Sequence, residues 1–169
     1  GMACFSYATG TYPHGLELAG ARIVMNQDGS IQLQVGATEI GQGSDTVLSQ
    51  IAAEVLGLPI DMVHIVSQQD TDVTPFDTGA YASRQTFVSG MAVKKAAAEA
   101  RQKVLVLAAK KVGLSIDELD IKNARIIERK LGRNICSLED IAMEAYYDRM
   151  NATPITSDTS TNMRVNAMA

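Results

Sequence analysis

The stretch Thr38-Glu39-Ile40-Gly41-Gln42-Gly43-Ser44-Asp45-Thr46 constrains the fold most, because two kinds of regular backbone meet across it. Before it, Ile31, Leu33 and Val35 alternate with polar neighbours, the period of a strand with one buried face. After it, Val47, Leu48, Ile51, Ala52, Val55 and Leu56 fall at helical intervals, and Gly57 with Pro59 stops the helix. The Gly-Gln-Gly turn between them allows close backbone approach to a ligand. The first amides of the following helix lack intrahelical acceptors, so the turn is a prospective anion site. The same turn also occurs in proteins without any ligand. Neither the phosphate-loop ending Gly-Lys-Ser/Thr nor a full Gly-x-Gly-x-x-Gly is present.

A chain of 169 residues, 46% hydrophobic and 20% charged, is the size of one domain with one substantial core. A net charge of −4 and a pI near 5.1 argue against a nucleic-acid or anionic-membrane surface, since both reward clustered Lys and Arg. Cys4 and Cys136 are far apart and form no Cys-x-x-Cys, so no iron–sulfur or structural zinc set is encoded. Without a disulfide framework or secretory signal, a reducing cytoplasm is the expected location. The longest apolar-looking run, Lys103 to Ala109, is too short to span a bilayer. Gly1-Met2 reads as a scar of tag removal, and the polar residues 153–169 read as a linker. The expectation is an excised piece, with an α+β domain at 1–152 and a linker at 153–169.

An initial strand is expected between Met2 and Pro13, followed by a loop through Gly15. Ala21–Asn26 and Ser30–Gly36 form a hairpin whose turn carries Asp28-Gly29. Met62–Ser67 is a strand containing His64, which with His14 is better explained as packing or edge than as a ligand. Gln68–Tyr81 has no periodicity and is a functional loop. Its Asp70, Asp72 and Asp77 lack the glycine and terminal Glu of a calcium loop and serve as turn-formers. Arg84–Val112 is the strongest helix, rich in alanines that invite close packing, and Gly113 closes it. Ser115-Ile-Asp-Glu118 has capping-box spacing. Two strands around Asn123, and a helix from Leu138 to Tyr147 capped by Ser137, complete the chain. The order β-ββ-α-β-loop-α-ββ-α indicates an α+β fold with helices on a mixed or mostly antiparallel sheet.

The histidines lie beside neither a glycine-elbow serine nor an activated cysteine, so a hydrolytic triad is not encoded. Asp45 is placed to favour the helix dipole. What remains concentrated is ligand-cradling chemistry, at Gly41–Gly43 and in Asp77-Thr-Gly-Ala-Tyr-Ala-Ser-Arg-Gln-Thr86.

Glu39-Ile-Gly-Gln-Gly-Ser-Asp-Thr46, the helix ending Leu56-Gly-Leu-Pro59, and Thr71-Asp-Val-Thr-Pro-Phe-Asp-Thr-Gly-Ala-Tyr-Ala-Ser-Arg-Gln-Thr-Phe-Val-Ser-Gly90 together resemble the molybdenum-cofactor-binding subunit of the xanthine dehydrogenase and aldehyde oxidase family. The likeness extends to Met2-Ala-Cys-Phe-Ser-Tyr and Leu18-Ala-Gly-Ala-Arg-Ile, and is most specific over 36–95. It implies a molybdenum–pyranopterin cofactor, which in this family is often extended by a nucleotide such as cytosine dinucleotide, contacted by Gly41, Gln42 and Gly43 in one turn and by Ala82 and Ser83 in the other. Arg84 and Gln85 join as phosphate or pterin partners, although Arg84 is equally suited to pair with Asp77. In such a site Gln42 offers both donor and acceptor, the Ser83 hydroxyl suits a phosphate, and the small Ala82 leaves room near the metal. The resemblance further implies hydroxylation of an aldehyde, purine or other heterocycle, with electrons passed to iron–sulfur and flavin partners, and a glutamate base in a downstream Gly-Glu context. No such motif follows Asn151, so no catalytic or metal-ligating residue is assigned here. The chain is expected to be half of a cofactor cleft, empty and inactive alone. Two other classes remain open: a stand-alone nucleotide- or phosphate-binding module without redox chemistry, and an interaction domain whose glycines are only turns.

Overall fold

The hairpin at Asp28-Gly29 forms the middle of the principal sheet. In a computed structural model that describes residues 1–11, 17–66, 70–147 and 155–163, β1 (Glu17–Met25) and β2 (Ile31–Val35) pair antiparallel, with Ala21 opposite Val35. Their alternation places Ala19, Ala21, Ile23, Met25, Ile31, Leu33 and Val35 in the core. The Asp28 carboxylate closes the turn by accepting from the Ser30 backbone and hydroxyl at 2.9 and 2.6 Å.

Helix α1 (Ser44–Leu56) carries the chain across to β3 (Val63–Val66), which pairs parallel to β2. The exposed face of β3 holds His64, at the edge of the sheet. Helix α2 (Gln85–Val112) lies over β1 and beside α1. Its Ala92, Ala96, Ala97, Ala100 and Ala108 are fully buried, so small side chains bring the helix close to the sheet, as their number leads one to expect. A second sheet of β4 (Leu119–Lys122), β5 (Arg125–Glu128) and β6 (Arg133–Ser137) is antiparallel and is followed by α3 (Leu138–Tyr147). Leu119, Ile121, Ile126, Leu138 and Ile141 join the same core. The capping box is present: the Glu118 carboxylate accepts from the Ser115 N–H and hydroxyl, both at 3.0 Å.

The α+β class with a mixed, mostly antiparallel sheet stands, and two details at the ends differ from expectation. Residues 1–11 carry no strand, while 12–16, including His14, lie outside the described residues. Residues 156–163, read as part of a polar linker, form strand β7 (Thr156–Met163), which pairs antiparallel to β1 along its length and gives the order β3-β2-β1-β7. The cause is chemical. The inward Ser157 and Thr159 hydroxyls donate to the Ala96 and Ala92 carbonyls of α2 at 2.8 and 2.9 Å, so hydroxyls fill positions where a strand pattern calls for apolar residues.

From Asp70 onward the long loop is held by hydrogen bonds and by packing against the sheet. Asp70 organises its start, accepting the Asp72 N–H on its carboxylate and the Val73 and Thr74 N–H on its carbonyl, in the turn-forming role read from sequence. Pro75 and Phe76 then cross β1 and β2. A Cβ on Gly36 would stand 2.2 Å from the Pro75 carbonyl oxygen, and one on Gly20 would stand 2.6 Å from the Pro75 Cβ. Only glycine at both strand positions admits the loop.

Candidate functional site

The two ligand-cradling stretches read from the sequence meet in space. Gln42 Nε2 donates to Gln85 Oε1, and both side-chain amides also donate to the Thr38 carbonyl, at 2.8 Å from Gln42 and 3.2 Å from Gln85. Around this bridge opens a cleft of about 280 Å³ lined by Ile40 and Gln42 from one turn, Ala82, Ser83, Arg84 and Gln85 from the other, and Tyr7 from the N-terminal segment.

The first wall departs from the simple anion-site reading. Gly41 and Gly43 have φ of +96° and +81°, and both face open space. The amides they help present, however, are already occupied. One Glu39 carboxylate oxygen accepts from Gly41 N at 2.7 Å and Gly43 N at 3.0 Å. The other accepts from Asp45 N at 3.1 Å and the Ser44 hydroxyl at 3.2 Å. These bonds, led by those from Asp45 and Gly43, hold the Glu39 carboxyl at about 2, well under the ordinary 4.5. Gln42 is folded back as well, its Oε1 accepting from Ile40 N at 2.6 Å.

The second wall is a turn from Tyr81 to Arg84, closed by Arg84 N donating to Tyr81 O at 3.1 Å. Its central residues, Ala82 and Ser83, both have φ of +49°. Two consecutive left-handed residues without glycine are costly, roughly 1–2 kcal/mol each, and persist only where the surroundings impose them. The carbonyl of Ala82 accepts from Gly10 N at 2.7 Å, which brings the N-terminal segment against the turn. Ser83 and Thr86 are exposed at the start of α2, where no side chain caps the helix and no acid stands in the first turn.

Arg84 imposes this geometry. Its side chain is wholly buried. It donates from Nε to Glu17 at 2.5 Å, from one Nη to Asp77 at 2.6 Å and to Gly79 O at 2.7 Å, and from the other Nη to Leu18 O at 2.8 Å. Asp77 also accepts from the Ser89 hydroxyl and Gly79 N, and Glu17 from the Thr11 N–H and hydroxyl. Burial works to raise the pKa of Glu17, but hydrogen bonds from Arg84 and Thr11 outweigh it and hold it below the ordinary value. Burial likewise opposes the charge on Arg84, and its bonds to Glu17 and Asp77 raise its pKa nonetheless. Of the two roles read for Arg84, the structure supplies the pairing with Asp77, and four bonds from its guanidinium go to Glu17, Asp77, Gly79 and Leu18. Glu17 was not foreseen, because a lone acid in a strand start gives no sign of burial. Among the described residues no cluster of three or more His, Cys, Asp or Glu could hold a metal, and no helix is long and apolar enough to cross a membrane.

A sheet flanked by two helix starts that converge on one small-walled cleft defines a cofactor-cradling domain. The chain belongs to the molybdopterin cofactor-binding domain family, whose model matches residues 1–166. It is 45% identical over its whole length to the putative xanthine dehydrogenase molybdenum-binding subunit XdhA of Escherichia coli K12, of which it spans 23%. It is 31% identical over 74% of its length to the carbon monoxide dehydrogenase large chain of Hydrogenophaga pseudoflava, spanning 15% of that protein. In fold it matches the reconstituted CO dehydrogenase of Oligotropha carboxidovorans with a TM-score of 0.76 at 26% identity, over 86% of this chain and 18% of that one. Quinoline 2-oxidoreductase of Pseudomonas putida 86 shares the fold at TM-score 0.79 and 23% identity, over 92% and 21% of the two chains. The chain thus spans about a quarter of the relatives it matches most fully.

Proposed function

We propose that this chain forms one wall of the cofactor cleft of a molybdenum hydroxylase of the xanthine dehydrogenase and aldehyde oxidase kind. The observation that supports it is the Gln42–Gln85 contact, which joins the two turns on one cleft. The residues present fit the group. Ala80 and Ala82 keep the cleft wall low, Ser83 and Thr86 expose hydroxyls at an uncapped helix start suited to phosphate oxygens, and Gln42 and Gln85 supply amides for the edge of a pterin. Gly41 and Gly43 leave the approach to Gln42 open. Arg84 acts behind the wall, holding the Ala82–Ser83 turn in its left-handed form.

When bound, the molybdenum cofactor supplies the redox chemistry of hydroxylation. This chain's share is to bind and orient it. The catalytic base, the substrate pocket for a small aldehyde, purine or other heterocycle, and the iron–sulfur and flavin partners belong to other parts of the assembly. Ser83 and the start of α2 would hold the phosphates of a cytosine dinucleotide form of the pterin. The isolated chain is empty and inactive, and the working enzyme is cytoplasmic. The stand-alone phosphate-binding reading is disfavoured by Glu39, which fills the amides that such a module would use at α1.

Substituting Gln42→Ala and Ser83→Ala in the complete subunit and measuring molybdenum and pterin content tests the assignment. Several-fold loss from each is expected, and unchanged content in both would overturn it. Stoichiometric molybdenum with turnover from the isolated chain would overturn the view of it as half a cleft.

A further inference from the structure

We infer that Glu39 is a built-in anion: a positioning residue whose carboxylate stands where a ligand's phosphate would stand on α1, and whose bonds hold the Gly-Gln-Gly turn in its ligand-ready shape. The presentation of Gln42 to a cofactor rests on the functional reading above, but the internal-anion role does not. Four donors converge on one carboxylate, from Gly41, Gly43, Ser44 and Asp45, at 2.7 to 3.2 Å. A glycine-rich turn with two positive φ angles has many alternatives in an unliganded chain, and a charge-assisted clamp on three of its amides selects one. Gln42 lies between the clamped glycines, so fixing them fixes the arc from which its side chain reaches Gln85. The carboxylate also answers the positive end of α1, a position from which a negative charge acts on the helix dipole.

This divides labour within the cleft. The turn before α1 is closed to external anions and offers only Gln42 and open glycine backbone. The start of α2 has no acid in its first turn and no side-chain cap. A carboxylate that merely decorated the surface would have no such effect, and small anions could not replace it.

Amide-resolved NMR on the purified protein decides the matter without any cofactor. In the native chain the Glu39 carboxyl carbon titrates near 2, and inorganic phosphate leaves the Gly43 and Asp45 resonances in place. In Glu39→Ala, solvent exchange at Gly41, Gly43 and Asp45 quickens by about tenfold or more, and added formate restores protection in a saturable way. Glu39→Gln, which keeps the shape but not the charge, gives the same acceleration and covers the case of an Ala variant that folds poorly. A Glu39 that titrates at the ordinary carboxylate value, native resonances that move with phosphate, unchanged exchange in both variants, or a folded Glu39→Ala that formate does not rescue would each overturn the inference. In the cofactor-loaded complete subunit, Glu39→Gln lowers molybdenum retention several-fold. Retention at the native level beside lost amide protection would refute the positioning of Gln42 and leave the cofactor reading intact.

Discussion

The two helices that meet at the cleft begin in opposite electrostatic states. At α1 an acid from the preceding strand exit, Glu39, has folded back to occupy the amides, and Asp45 stands in the first turn. At α2 the first turn has no acid and no side-chain cap, and the residues before it are held in a costly left-handed turn by a buried arginine. Both starts carry small residues and hydroxyls, so in sequence they look alike. What separates them is whether the positive end of the helix has been answered from within. A start that has been answered is a piece of architecture, and one left unanswered is available to a ligand.

The comparison can be broken most forcefully at Arg84. Arg84→Met strands two buried carboxylates, Glu17 and Asp77, and should cost about 3–5 kcal/mol in denaturant unfolding. A loss under about 1 kcal/mol, the range of an exposed pair, would mean that the network does not hold the α2 start. A smaller effect is expected at the turn it holds. Ala82→Gly removes left-handed strain of roughly 1–2 kcal/mol but adds chain entropy of about 0.5–1 kcal/mol, so a net gain of up to about 1.5 kcal/mol should appear as a raised unfolding midpoint. A net loss would show that the turn is not strained. Ser83→Asp makes α2 resemble α1. It should stabilise by about 0.3–1 kcal/mol, since Asp tolerates the left-handed region and favours a helix start, while cofactor content of the complete subunit falls. Retained cofactor would remove the distinction between the two starts. The mildest test is pH. Because the Glu39 pKa is depressed from 4.5 to about 2, its contribution is fully present above 4.5 and is lost as pH falls toward 2. The stability difference between the native chain and Glu39→Gln should therefore close across that window, and a difference independent of pH would exclude an ionised Glu39 as its source.

Much of the frame was legible because it is written in short-range code. The hairpin at Asp28-Gly29, the three helices, the glycine stops of α1 and α2 and the Ser115–Glu118 box all follow from period, turn chemistry and capping, which operate over a few residues. The pairing of the Gln42 and Ser83 stretches came from the family resemblance rather than from local pattern, and the Gln42–Gln85 contact brings the two stretches together. Three features were not legible. Glu17 and Arg84 lie 67 residues apart, and nothing in either neighbourhood announces a buried pair. Glu39 was visible as an acid beside a turn, but its curl back onto four donors depends on the positive φ of two glycines. Strand β7 was hidden because its inward positions are hydroxyls, which fit only where the alanine face of α2 offers carbonyls at close range.

That last strand has a consequence for the order in which the molecule can be made. Strand β1 sits between β2, its neighbour in sequence, and β7, whose residues pair with it from the far end of the chain: Val24 with Thr156, Glu17 with Met163. During synthesis the hairpin, α1 and α2 can emerge and collapse together, yet the outer edge of β1 stays unpaired until residue 156 and those after it leave the ribosome. Pairing over such a separation is slow to form. Until then a nascent chain carries an open β edge beside an alanine-rich helix, the kind of surface that chaperones hold and that misassembly exploits.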